Sequence, residues 1–183
     1  MHPTKKKRGR NYFPSPCPLS KGLLRTIIGK VQLDLVFCVS LMTLKELRTV
    51  KTFFSVKEIM FNRDLAKLGD NFVNFIYSLA KSCTLKKFDG WKVPDKVLSQ
   101  ALREADMRSL VSHRASTHEI ADGVEALIVH EWLFERISIE ELVTILSEQL
   151  KTGDFSDRKK EERSALQAFT AVLLEIKKNF KSK

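Results

Sequence analysis

This 183-residue chain has little cysteine, glycine or proline. Its three cysteines, Cys17, Cys38 and Cys83, are odd in number and far apart, with no CxxC pair. That excludes a disulfide framework and a Cys-based zinc module, and it suits a reducing cytoplasmic setting. Long apolar runs are missing. The best, Val31–Met42, is interrupted by Asp34 and falls well short of the roughly 18 residues of a membrane-spanning helix. The start is basic, but Pro14, Pro16 and Pro18 fall where the apolar centre of a secretory leader would begin. Acids are scarce at the N-terminal end: residues 1–57 carry twelve lysines and arginines against Asp34 and Glu46. Sustained two-residue alternation is also absent, so no strand is expected and the chain reads as all-α.

What remains is a helical protein with a composition typical of globular domains, 43% hydrophobic and 30% charged. The net charge of +10 belongs to the first 57 residues; the rest carries 20 bases and 20 acids. A neutral domain with a basic extension suits a polyanion partner such as RNA, although a solvated tail has the same composition. Residues 1–21, with KKKRGR and four of the five prolines, read as an extended arm. Residues 22–183 read as a single helical domain. One or two helices are expected between Gly22 and Phe54. Further helices are expected over Asn62–Ala80, Asp95–Glu104, Ile120–Phe134, Ser138–Leu150 and Asp157–Phe180. Ser138 and Glu141 have the spacing of a capping box, and Pro94 precedes the Asp95 helix near its first turn. Ile120–Phe134 is apolar around most of its circumference and is expected at the centre.

Two places set acids into apolar helices. In Asn62–Ala80, apolar residues at Leu65, Leu68, Phe72, Phe75, Ile76 and Leu79 follow the helical period, yet Gly69-Asp70 interrupts them. Glycine costs about 1 kcal/mol against alanine in a helix interior. Either a neighbouring helix comes close there with Asp70 at the rim, or Asp70 faces a cleft. Fifty residues on, Asp122 and Glu125 share one face of the central helix, roughly 4.5 Å apart along its axis. Alone they would cap, or pair with Arg114 or His118. If the two helices pack, three carboxylates converge, and like charges that close raise a pKa or demand a cation. Oxygen donors without Cys or His favour Mg²⁺ or Mn²⁺. The chemistry suited to them is phosphodiester hydrolysis by an activated water.

Residues 63–70, RDLAKLGD, resemble the signature of the ribonuclease III family, Glu-Arg-Leu-Glu-Phe-Leu-Gly-Asp. Residues 114–128, RASTHEIADGVEALI, are similar to the second motif of that family, Ala-Asp-x-x-Glu-Ala-Leu-Ile. The likeness spans about 44–149 and is closest to small archaeal ribonuclease III-like proteins without a double-stranded-RNA-binding domain. It implies a helical endonuclease-domain bundle and a homodimer whose valley takes double-stranded RNA. It implies Asp70, Asp122 and Glu125 as metal ligands, with Asp70 and Glu125 as the catalytic pair. Lys67, Asn74 and Arg114 are then candidates for phosphate contacts. Two positions depart from the motif: Arg63 and Ala66 stand where the family carries glutamates. That loss would also suit a homologue that binds RNA or ribosomal particles without cutting.

Overall fold

The computed structural model describes residues 44–49, 53 and 55–181. The chain divides into two compact units, Met1–Glu46 and Leu47–Lys183. The arm expected over residues 1–21, and most of the helical stretch expected up to residue 54, lie outside the described residues. A helical stretch covers residues 44–49. In the second unit follow α1 (Val56–Met60), α2 (Arg63–Leu85), α3 (Asp95–Glu104), a single 3-10 turn at Arg108–Leu110, α4 (Thr117–Leu133), α5 (Ile139–Leu150) and α6 (Arg158–Lys181). Among the described residues there is no strand, as the missing alternation predicts.

The central position of α4 follows from its apolar circumference. Val124, Ala126, Leu127, Ile128 and Val129 are all fully buried, each large aliphatic side chain contributing roughly 1.5–3 kcal/mol. Helices α1, α2 and α3 pack on it, while α5 and α6 pair with each other and close over α2 and α3 respectively. The helix begins one turn before its apolar stretch, because Ser116 caps it. The Ser116 side chain accepts from the Glu119 amide, and the Glu119 carboxylate accepts from Ser116 in return. The box at Ser138 and Glu141 starts α5 in the same way, as its spacing predicts. Pro94 is the residue before α3 and not its first turn.

Helix α2 is longer than its apolar pattern indicates and ends at Leu85 instead of Ala80. The extra turn stays helical because Lys81, 5% exposed, pairs with Asp89 at 3.1 Å and with Glu161 of α6 at 2.6 Å. Two serines on the same helix hold the loop that follows: Ser78 accepts from the Trp91 amide and Ser82 from the Asp89 amide. Phe72 stacks on Trp132, and Tyr77 packs between Trp91 and Phe169. The apolar residues of α2 split between two faces. Phe72 and Ile76 are buried, whereas Leu68, Phe75 and Leu79 are 42%, 55% and 38% exposed.

Candidate active site

Helices α2 and α4 meet backbone to backbone at Gly69. A Cβ built on this residue would lie 2.4 Å from the Glu125 carbonyl oxygen and 2.5 Å from its carbonyl carbon. Only glycine admits that approach, which accounts for its place inside a helix. Of the two readings of Gly69-Asp70, close helix contact is therefore real. It also sets Asp70, one residue on, beside Glu125. Gly123 gives α1 similar access to α4: a Cβ built there would lie 3.1 Å from the Met60 carbonyl oxygen.

Glu125 is 6% exposed. Its carboxyl has no hydrogen bond or ion pair among the described residues, while its neighbours are acids. Burial first, then Asp70, Asp122 and Asp95, push its pKa up to about 8 from the ordinary 4.5. Asp70 lies at the rim, its side chain 42% exposed, with Lys92 at 3.7 Å. Asp122, also at the rim, has the His118 ring at 3.7 Å. The His118 imidazole sits closer to Asp95, at 2.8 Å. Asp95, then the charge of Asp122, pushes its pKa above the ordinary histidine value. The two acidic elements predicted from separate motifs thus share one electrostatic neighbourhood.

Sequence reasoning does not single out Asp95, since an acid in the first turn of a helix is ordinary dipole complementation. Its placement depends on Asn74. The Asn74 amide donates to the Asp70 backbone carbonyl at 2.7 Å and its carboxylate at 3.0 Å, and its carbonyl accepts from the Val93 amide at 2.8 Å. This one side chain ties Asp70 to the residues entering α3. It is engaged with the protein on both ends, which makes it a positioning residue. Lys67 forms an exposed ion pair with Asp64 at 3.5 Å. Arg114, with Arg63, Ala66 and Asp122, lines a cavity of about 340 Å³. The small Ala66 side chain leaves room at the position where the motif has an acid.

The donor set of Asp70, Asp122, Glu125 and neighbouring Asp95 is all carboxylate oxygen, the chemistry that suits Mg²⁺ or Mn²⁺. As the side chains stand, no three His, Cys, Asp or Glu groups among the described residues close around a single ion position. A small hard cation keeps several of its waters, and water would complete such a shell. Lys92 lies beside Asp70, and Arg114 lines the same cavity as Asp122.

A family model described as ribonuclease III matches residues 63–182. No curated protein sequence matches the chain. The matched span holds both acidic motifs, the α2–α4 crossing between them and the helical bundle that carries it. The chain belongs to the ribonuclease III family.

Proposed function

We propose that this protein is a Mg²⁺- or Mn²⁺-dependent endoribonuclease that hydrolyses phosphodiesters of double-stranded or structured RNA in cytoplasmic RNA processing. The carrying observation is Glu125, a buried carboxyl with no hydrogen bond or ion pair among the described residues, pressed by the charges of Asp70 and Asp122 and only partly offset by that of Lys92. An uncompensated group of this kind is costly in the fold, and a divalent cation is the simplest compensation. A cation bound there would supply an activated water and offset charge on the phosphate. Asp70, Asp122 and Glu125 would hold it, with Asp70 and Glu125 as the catalytic pair. Asn74 keeps the Asp70 carboxylate fixed. Lys92 and Arg114 flank the path of the backbone phosphates. In such a hydrolysis the water oxygen would bond to phosphorus as the bond to the 3′ oxygen breaks and that oxygen takes up a proton, leaving 5′-phosphate and 3′-hydroxyl ends.

The closest parallel in this reading is the small archaeal ribonuclease III-like proteins without a double-stranded-RNA-binding domain. Duplex RNA is read through shape, phosphates and 2′-hydroxyls, which a charged surface around the carboxylates can provide. A homodimer completes the reading. Its support is the exposed apolar stripe of Leu68, Phe75 and Leu79 on α2, together with the fully exposed Phe88.

The test is incubation with a long RNA duplex in Mg²⁺ and in chelator. Cleavage is expected only with the metal, and Asp70→Asn is expected to lose cleavage while still binding the duplex. Full cleavage by Asp70→Asn, or equal cleavage in chelator, refutes the proposal.

A further inference from the structure

Leading away from the carboxylates, the outer face of α3 carries two adjoining cavities, of about 480 and about 380 Å³, which share Lys96 and Gln100. The first reaches Thr117 at the start of α4 and is bordered by Arg103. The second continues to Lys159 and Arg163 on α6. The strip begins at the acidic site itself. Lys96 follows Asp95, whose carboxylate contacts His118, the residue after Thr117. From Asp95 to Arg103 is roughly 12 Å of helix.

The charges along this face are unbalanced. Glu162 is shared by two cations, Lys96 at 2.5 Å and Arg158 at 3.3 Å. Glu104 is occupied with neutral groups, accepting from Gln100 at 3.2 Å and from Thr170 at 3.4 Å. Arg103, Lys159 and Arg163 are exposed and form no ion pair among the described residues. A solvated helix face usually interleaves its signs, and pairs at i,i+4 spacing supply that balance. Here the bases outnumber the acids on two helices that face a common groove, lined by Ser99 and Gln100 together with Val97 and Leu166.

We propose that this strip is a phosphate-backbone track: duplex RNA leaving the carboxylate site continues along α3 and α6, its phosphates met by Lys96, Arg103, Lys159 and Arg163. The proposal rests on the RNA reading above and adds where the substrate's flank lies. Such interactions are electrostatic and independent of base sequence, so they raise affinity and its salt dependence together. Arg103, Lys159 and Arg163 lie away from the acids, so their removal acts on binding before chemistry.

The test measures duplex binding by the full chain in chelator, across a salt series. Arg163→Glu is compared with Lys151→Glu, which makes the same charge change at the end of α5, away from the track. Removing a single side chain that meets a phosphate lowers the slope of log K against log salt by about one. Arg163→Glu is expected to lower it by about one, the pair Arg103→Glu and Arg163→Glu by about two, and Lys151→Glu to leave it unchanged. Affinity at moderate salt is expected to fall roughly tenfold or more for the pair. Equal slopes and affinities for the pair and for Lys151→Glu would overturn the track while leaving the RNA reading standing. Failure of the unaltered protein to bind duplex at low salt would overturn both.

Discussion

Replacing Glu125 by glutamine keeps the shape of the side chain and removes its charge. In the native fold the carboxyl pKa is pushed up to about 8, against an ordinary 4.5. The fold therefore favours the protonated acid. The sign follows directly: the native state binds more protons than the unfolded chain between these values, so stability falls as pH rises from about 4.5 to about 8. Above that the whole cost is present. At 1.36 kcal/mol per pH unit the gap corresponds to about 5 kcal/mol. The carboxyl is not sealed from solvent, and screening brings the expected cost down to about 1–3 kcal/mol. Glu125→Gln should therefore match the unaltered protein near pH 4.5 and exceed it by that margin at pH 8.5. The assay is urea unfolding in chelator at both pH values. Adding Mg²⁺ at pH 8.5 should raise the unaltered protein and move the glutamine variant far less, since a ligand that binds only the native state stabilises it. Identical pH slopes for the two proteins, or a glutamine variant that is the weaker one at pH 8.5 in chelator, would refute the reasoning. Either result would mean that the protein itself satisfies the Glu125 charge, leaving no call for a cation.

Gly69→Ala gains helix propensity but sets a Cβ 2.4 Å from the Glu125 carbonyl, about 1 Å inside the 3.4 Å at which ordinary contact begins. It should destabilise by about 1–3 kcal/mol and abolish cleavage. Unchanged melting with full activity would show that the crossing tolerates separation. Ala66→Glu places a carboxylate in the cavity beside Asp122 and should lower the Mg²⁺ concentration for half-maximal cleavage roughly tenfold, because affinity follows ligand charge. An unchanged midpoint in a metal titration contradicts it. Lys81→Met leaves Asp89 and Glu161 without their shared cation and should cost about 3–5 kcal/mol in denaturant unfolding. A cost below about 1 kcal/mol would show that solvent replaces the lysine.

The helices were legible where their composition is extreme. Ile120–Phe134 has so few polar residues that only a central position suits it, and α4 occupies one. The acids were legible as interruptions of that pattern, which is why Asp70, Asp122 and Glu125 could be named before any coordinate. The last turn of α2 was not. Lys81-Ser82-Cys83-Thr84 carries no apolar stripe, and the helix persists there through an ion pair to α6, a partner 80 residues away along the chain. Asp95 was hidden for a related reason: at a helix start it looks like local dipole complementation, and only its distance to His118 reveals its second setting. The even spread of apolar residues along α2 likewise concealed that Leu68, Phe75 and Leu79 lie on a face of their own. Periodicity reports that a residue is on a stripe, not what the stripe meets.

Direct contact between two core helices gives the acids a mounting that no loop can adjust. Loop exchanges elsewhere on the surface leave this spacing alone, while a single methyl at the crossing alters it. Diversification of such a fold must therefore proceed from the periphery inward. New surface properties can accumulate in arms and outer charges, generation after generation, with the buried carboxylate cluster passed on untouched.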